Sequence, residues 1–301
     1  MSLTQVIIIL GPTASGKSSL AIALAKRFKG EIISADSRQV YRGLDIGTGK
    51  VTKREMQSIP HYLLDIASPT RQYTVAQFQK ETQKTIRKIT RNNNLPIICG
   101  GTGFYIDAVV SGTTLPEVRP NKKLRKQLVK KTPAQLFHML QKLDPIRAKS
   151  IDPQNPVRLI RAIEIAQSLG RVPQLHVKSQ YDALKIGITL SKEKLHDNIH
   201  RRLHARMRQG MLAEAKRLHR QGLSYRRMEA LGLEYRYLAY HLQGKLTKSE
   251  MLQQLEKAIQ HYAKRQMTWF KRDKNIHWVK SAKEAQVLTR QFLKKENSPQ
   301  S

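Results

Sequence analysis

Cysteine is nearly absent. Cys99 is alone in 301 residues, so no intrachain disulfide framework and no Cys-rich zinc module can be built, and a reducing compartment, the cytoplasm, is the expected setting. Long apolar runs are missing as well. The stretch Val6–Leu10 falls far short of the ~20 residues of a spanning helix and has neither a basic n-region nor a small-residue cleavage site beside it, which argues against secretion and membrane insertion. Internal repeats and low-complexity segments are also lacking. Acidic residues are scarce: 22 Asp+Glu stand against 55 Lys+Arg, a formal charge of +33.

That imbalance is spread along the chain. Basic residues outnumber acidic ones 15 to 6 in residues 1–100, 17 to 8 in 101–200 and 23 to 8 in 201–301. Such a charge repels itself in a compact fold and attracts polyanions, with nucleic acid as the leading partner and an anionic membrane surface as the next. The ten histidines show neither an H-E-x-x-H pattern nor a cysteine partner and are read as structural.

Short apolar runs at Gln5–Leu10, Glu31–Ser34, His61–Ile66 and Leu95–Cys99 alternate with helical patterns at Lys17–Phe28 and Val75–Arg91, an order that predicts a parallel sheet with helices on its faces. Beyond Leu115 the strand pattern stops up to Ser179, and Pro116, Pro120, Pro133, Pro145, Pro153 and Pro156 punctuate short helices. Leu184–Leu190 is a strand again, Asp197–Arg272 reads as three helices broken near Gly222 and Gly244, and Ile276–Val279 closes the sheet. The expected organisation is an α/β core over 1–114, a helical insertion over 115–183, a core strand over 184–193, a basic helical region over 194–274, a closing strand and helix over 275–292, and a frayed tail over 293–301.

Gly11-Pro12-Thr13-Ala14-Ser15-Gly16-Lys17-Ser18 fits G-x-x-x-x-G-K-[ST] directly between a strand and a helix, the phosphate loop of nucleotide-binding, ATP-type folds. Backbone N–H groups and the helix N-terminus face an anion there, Lys17 adds a mobile positive charge, and the Ser18 hydroxyl suits Mg2+. The fold class expected is therefore α/β, a P-loop nucleoside-triphosphate-hydrolase-like parallel sheet with helices on both faces, plus a helical insertion and C-terminal helices.

Asp36 ends the second strand, at the carboxyl edge where ligands of parallel sheets sit. Holding magnesium or orienting water, acting as general base in a group transfer, and capping a helix are all roles open to it; Asp65 is a weaker alternative carboxylate. Gly100-Gly101-Thr102 follows the Leu95–Cys99 strand into the same crevice; its glycines permit close approach of a ligand, and Thr102 either bonds that ligand or caps its helix. Arg158 and Arg161 lie three apart, on one helical face suited to clamping phosphates or to solvation. Tyr262–Arg272 interleaves basic residues with aromatics, as nucleotide stacking requires, although Trp269 and Phe270 equally suit a core.

Taken in order, Gly11–Ser18, Ser34-Ala35-Asp36-Ser37-Arg38-Gln39-Val40-Tyr41, Asp45-Ile46-Gly47-Thr48-Gly49-Lys50, Gly100-Gly101-Thr102, Arg158–Glu164 and Lys264–Phe270 resemble the tRNA dimethylallyltransferases (tRNA isopentenyltransferases) of the bacterial type without a zinc finger, from about residue 6 to 280. The resemblance implies a transferase of tRNA modification. It transfers a dimethylallyl group from dimethylallyl diphosphate to the exocyclic amine of the adenosine immediately 3′ of the anticodon and releases diphosphate with the help of Mg2+, for which Ser18 is the candidate ligand. By the same resemblance Gly11, Thr13, Ala14, Ser15, Gly16, Lys17 and Ser18 hold the diphosphate; Asp36, Lys17 and Thr102 are catalytic. Asp36, Ser37, Arg38, Gln39, Thr102, Arg125, Val157, Arg158, Leu159, Ile160, Arg161, Lys264, Arg265, Gln266, Thr268, Trp269 and Lys271 contact the tRNA anticodon stem-loop. A monomeric cytoplasmic prenyltransferase is expected. In place of the family's Gly-Tyr pair in a late helix, the sequence reads Gly232-Leu233-Glu234-Tyr235.

The alternative is a P-loop nucleotide kinase or ATPase acting on RNA or nucleotides, which explains the loop but not the charge. A prenyltransferase for free adenine nucleotides has no use for basic helices, and an RNA-binding module with a dead loop has no use for an intact Lys17 and Ser18.

Overall fold

Val6-Ile7-Ile8-Ile9-Leu10 is apolar at every position, and such a run is buried only if both faces of its strand are covered. In the computed structural model, which describes residues 3–112, 116–173 and 179–294, it forms most of β1 (Thr4–Leu10), and these five side chains are 0–1% exposed. The other strands are β2 (Gly30–Ser34), β3 (His61–Tyr62), β4 (Leu95–Gly100), β5 (Tyr181–Ile188) and β6 (Ile276–Val279). They pair in the order β3-β2-β4-β1-β5-β6, and every pairing is parallel. This is the P-loop-like parallel α/β sheet with helices on both faces.

Strand alternation divides the core in two. Val6, Ile8 and Leu10 face Phe78, Ile86 and Ile89 of the helix Val75–Arg91 together with Tyr105, Ile106 and Val109 of the helix Gly103–Val110. Ile7 and Ile9 face Leu20, Ala21 and Leu24 of the helix Lys17–Arg27. Thus β1 and β4 are neighbours, yet the helices that follow them lie on opposite faces. Chains leaving adjacent strands in opposite directions open a crevice beyond the strands' carboxyl ends, the switch point where ligands of such sheets bind.

Three elements differ from the sequence expectation. The His61–Ile66 run is a strand only over His61–Tyr62, because Leu63 (φ 62°) and Asp65 (φ 56°) take the left-handed conformation that ends a strand. The strand expected from Leu184 begins at Tyr181, paired with Thr4 of β1. The region read as three helices is five, Lys192–Arg208, Met211–Arg220, Tyr225–Leu231, Leu233–Leu242 and Lys248–Phe270. Besides Gly222 and Gly244, the breaks fall at Gly210 (φ 99°) and Gly232 (φ 77°). The tail expected over 293–301 lies, from residue 295 on, outside the described residues.

These five helices share one core with the loop after β2: Val40, Tyr41 and Leu44 pack with Ile199, Leu203, Met211, Tyr235, Leu255 and Ile259, among others. One carboxylate shapes that loop. Glu214, 5% exposed, accepts the amides of Asp45, Ile46 and Gly47 at 3.0, 2.8 and 3.0 Å and the Tyr235 hydroxyl at 2.7 Å. The motif Asp45–Lys50 therefore wraps an internal anion, and Tyr235, from the segment that departs from the family pattern, closes the nest. Lys50 ties the same loop to Asp65 and Asp45 and to the Tyr41 carbonyl, so Asp65 serves as an ion-pair partner.

Residues 112–178 form a second compact unit, separate from the unit made by 1–111 and 179–301. Three of its helices, Pro133–Leu143, Pro145–Ser150 and Pro156–Leu169, open with proline behind a capping Thr132, Asp144 or Asn155. Proline suits the first helical turn because its missing N–H is not needed there. Leu136, Leu140, Leu159, Ile160 and Ile163 form the core. Glu164, 2% exposed, accepts Arg125 through two bonds of 2.7 and 2.6 Å, the Asn121 amide at 2.9 Å and Arg161 at 3.3 Å. Among the described residues of the chain, no helix is long and apolar enough to cross a membrane.

Burial pushes the Glu164 carboxyl up, but the hydrogen bonds from Arg125, Asn121 and Arg161 outweigh it and hold the group below the ordinary 4.5. A carboxyl lowered on folding contributes stability that is present above its unfolded value and lost as pH falls through the folded one. Glu164→Gln should therefore cost about 1–3 kcal/mol at pH 7, the two guanidinium groups being a third exposed and able to regain water. Urea melts should show this gap between native and variant protein narrowing as pH is lowered below 4.5. A gap independent of pH would remove the ion cluster as its cause.

Candidate active site

The phosphate loop leaves β1 at Gly11 and enters the helix Lys17–Arg27 at Gly16, the N-cap, with φ 91°. No side chain caps this helix and no acidic residue stands in its first turn, so its positive end is left for an anion. Ala14, at φ 62°, turns the loop in the left-handed region. Ser15 Oγ is buried within the loop with no hydrogen-bond partner among the described residues, whereas Ser18, one residue into the helix, is exposed. Lys17 Nζ donates to the Pro12 carbonyl inside the loop.

Lys17 is half-exposed along its stem, but its ammonium is enclosed by protein. Burial lowers its pKa to about 8; Arg202 acts in the same direction, and Cys99 and Asp36 oppose it. At neutral pH the group stays largely cationic, and it is poised to gain from a nearby polyanion. Burial likewise raises the Cys99 thiol to about 11, which makes it an inert strand residue.

Asp36 follows β2. Its Oδ1 accepts the amides of Arg38 at 2.8 Å and Gln39 at 3.3 Å, so the carboxylate starts the turn over residues 37–40 while its charge acts on Lys17, Tyr105 and Tyr262. The Arg38 guanidinium bonds the Leu231 carbonyl, and the Gln39 amide joins Ser34 to the Gly49 carbonyl. Ser37 contributes its amide to Thr102 Oγ1 at 3.1 Å. Thr102 thus spends its side chain on the β2 loop and makes no side-chain cap for the helix Gly103–Val110.

The glycines of the β4 loop make room for protein rather than for a ligand. A methyl at Gly100 would lie 2.1 Å from the Ala35 carbonyl oxygen, and one at Gly101 2.2 Å from Gln266 Nε2. Gln266 is 6% exposed, and its amide is used at both ends: Oε1 accepts the Thr13 amide at 2.8 Å and Nε2 donates to the Gly101 carbonyl at 2.8 Å. The loops after β1, β2 and β4 are in this way joined directly around one crevice.

Residues expected to meet RNA fall into two groups. Lys264, Arg265, Thr268 and Lys271 are exposed on the helix Lys248–Phe270 and the residue after it. Gln266 is turned inward, and Trp269 is half-buried with its indole N–H on Asp107 at 2.8 Å and Arg272 stacked over its ring at 5.5 Å. Within the second unit Val157 and Arg158 are exposed, whereas Leu159 and Ile160 are core. Arg161 is turned to Glu164 and the Val118 carbonyl at 2.9 Å, and Arg125 to Glu164. Arg158 and Arg161 therefore do not form a pair of free guanidinium groups.

Several neighbours of the crevice are not among the site residues expected from the sequence. Tyr262, whose hydroxyl burial pushes up to about 12, interacts with Asp36 and Thr102. Asn198 donates to the Ala14 carbonyl at 3.1 Å, and Arg202 lies near Lys17. Their spacing of four on one basic helix is the available hint. Glu234, paired with Arg206 at 3.3 Å, has its carboxyl raised by burial, against the pull of Arg206.

The IPP transferase family model matches residues 39–273. The tRNA dimethylallyltransferase of Anoxybacillus flavithermus is 40% identical over 280 residues, 91% of this chain and 89% of the relative. For tRNA dimethylallyltransferase 1 of Geotalea daltonii the identity is 42% over 284 residues, 93% of this chain and 92% of the relative. The crystal structure of the full-length tRNA isopentenylpyrophosphate transferase from Bacillus halodurans is similar with a TM-score of 0.75 at 34% identity, covering 97% of this chain and 98% of that one. A eukaryotic dimethylallyltransferase acting on tRNA, 24% identical, shares the fold with a TM-score of 0.83 over 98% of this chain and 80% of its own. The chain therefore belongs to the IPP transferase family, that of the tRNA dimethylallyltransferases, and is a transferase.

Proposed function

We propose that the chain transfers the dimethylallyl group of dimethylallyl diphosphate to the exocyclic amine of the adenosine immediately 3′ of the anticodon in tRNA. The observation that carries this reading is the joining of three loops at one switch-point crevice. An uncapped helix end and Lys17 form an anion cradle there, with the Asp36 carboxylate close enough to act on the Lys17 ammonium.

The amides of Gly11–Ser18 and the Lys17 ammonium hold the diphosphate and stabilise the charge that develops as the allylic C–O bond breaks. The adenine amine forms the new C–N bond, its proton passes to Asp36, and diphosphate departs. Thr102, tied to the Ser37 amide, keeps the two loops at the distance this exchange needs. Mg2+ fits the donor set: the exposed Ser18 hydroxyl beside the cradle and the unpartnered Ser15 Oγ within it are oxygen donors of the type it prefers. Ser18 would hold it, and when bound it supplies neutralisation of diphosphate charge. The target base must leave its stack to enter the crevice, and the exposed Lys264, Arg265, Thr268 and Lys271 grip the surrounding stem-loop.

With magnesium, dimethylallyl diphosphate and unmodified tRNA, nucleoside mass analysis should show the gain of one prenyl group on that adenosine. Asp36→Ala should lower the transfer rate at least about 100-fold, the usual scale of general-base loss, with tRNA affinity nearly intact. ATP hydrolysis without prenyl transfer would overturn the assignment.

Lys264→Ala combined with Arg265→Ala should weaken tRNA binding and reduce the slope of log affinity against log salt by about two, one per lost phosphate contact. An unchanged slope, measured by filter binding over a salt series, would place the RNA elsewhere.

Gln266→Leu should lower kcat/KM about tenfold or more, equivalent to roughly 1.4 kcal/mol or more, because it unties the Thr13 amide and the Gly101 carbonyl. The loss should appear with a lowered melting midpoint but little change in tRNA affinity. A variant that loses tRNA affinity and keeps its rate and midpoint would make Gln266 an RNA contact.

A further inference from the structure

Histidines without a metal pattern in sequence come together in space. His200 and His204, four apart on the helix Lys192–Arg208, present rings tilted by 43° with centroids 4.3 Å apart. Glu256, on the helix Lys248–Phe270, reaches them, with Oε2 at 3.1 Å from His200 Nδ1. One ligand atom from each of the three lies within 4.8 Å of the others.

We propose that His200, His204 and Glu256 form a binding site for a transition-metal dication of the zinc class, distinct from the Mg2+ assigned to the phosphate loop. The donor set decides the class. Two imidazoles and one carboxylate suit Zn2+, Co2+ or Ni2+, whereas Mg2+ selects oxygen and keeps its waters. Tetrahedral zinc with bonds near 2.0–2.1 Å needs its ligand atoms roughly 3.4 Å apart. The His200–Glu256 pair already meets that spacing, and rotamer adjustment of His204 supplies the rest. The fourth position is left for water.

The two backbones are fixed beside the cluster. Ile199 and Leu203, each 2% exposed, pack into the same core as Leu255 and Ile259, at 0% and 6%, so the helices carry the three ligands without needing the metal to fold. Imidazole binds a metal in its neutral form.

The position gives the site a consequence. The helix Lys192–Arg208 also carries Asn198, bonded to Ala14, and the helix Lys248–Phe270 carries Gln266, bonded to Thr13. An ion joining His200 and His204 to Glu256 links the two helices that hold the phosphate loop from either side. Occupancy stabilises the folded state as the logarithm of metal concentration over Kd.

The test is a titration of the full chain, stripped of metal, with ZnCl2 followed by calorimetry and thermal melting, and with CoCl2 followed by visible absorption. One saturable site, a raised melting midpoint and the intense visible bands of four-coordinate Co2+ are expected, with no response to equal MgCl2. His204→Ala and, separately, Glu256→Gln should each weaken binding at least tenfold while melting like the native chain without metal. His196→Ala, one turn away, should bind as the native chain does. Absence of a saturable site, or binding undiminished in both ligand variants or equally diminished in His196→Ala, would overturn the proposal.

Discussion

The crevice depends on close contact between loops that belong to different strands. Gln266 is the clearest expression of that constraint: one buried side-chain amide satisfies a donor in the loop after β1 and an acceptor in the loop after β4. A primary amide carries both functions at opposite ends, which neither a carboxylate nor an ammonium can match. The geometry leaves no spare room. Gly101 lies against the Gln266 nitrogen and Gly100 against the Ala35 carbonyl, so side chains at these glycines would push the loops apart. The Ser37–Thr102 bond completes the arrangement on the side of Asp36.

The C-terminal helices therefore do more than carry charge. The helix Lys248–Phe270 buries Leu255, Ile259 and Ala263 in the core shared with the loop after β2, turns Gln266 to the phosphate loop, and leaves Lys264, Arg265 and Thr268 in water. A single helix thus ties the loops of the crevice and displays the residues proposed to meet RNA, and the register between the two sets is set by helical pitch alone. Glu214 performs a related task from the helix Met211–Arg220, gathering three consecutive amides of the loop that follows Asp36. Backbone polar groups buried without partners are costly, and a carboxylate that accepts several at once holds an irregular loop in one conformation.

Much of this architecture is legible in the sequence where the signal is local. The run Val6–Leu10 and the glycines and Lys17 that follow it specify strand, loop and helix within twenty residues, and Asp36 is placed by the strand that precedes it. The strand at His61 is legible but its early end is not, because the non-glycine residues Leu63 and Asp65 adopt positive φ that nothing in the local sequence announces. The five C-terminal helices read as three because Gly210 and Gly232 look like tolerable helix residues until their left-handed angles are seen. Arg161 is the instructive failure: its spacing from Arg158 suggests a shared exposed face, yet it bends to Glu164, a buried acceptor only three residues away. Gln266 lies 253 residues from Thr13, and nothing in its neighbourhood announces the partner.

The scarcity of acidic residues has a structural counterpart. Glu31, Asp144, Glu164 and Glu214 are all buried. Glu31 receives Tyr62 and Asn94, Asp144 the amides of Arg147 and Val172, Glu164 two arginines and an amide, and Glu214 three amides and a phenol. Acids used in this way are withdrawn from the surface, where they would otherwise balance lysines and arginines, so the exterior is more cationic than the composition alone requires. Self-repulsion of that exterior works against the compact state, and the same field draws a polyanion toward it. Added salt then acts in opposite senses on the two processes, relieving repulsion within the fold while weakening the grip on RNA through lost counterion release. The internal carboxylates, shielded from solvent, are the interactions least affected by either, so the loops around the crevice keep their geometry while the surface charge does the work of association.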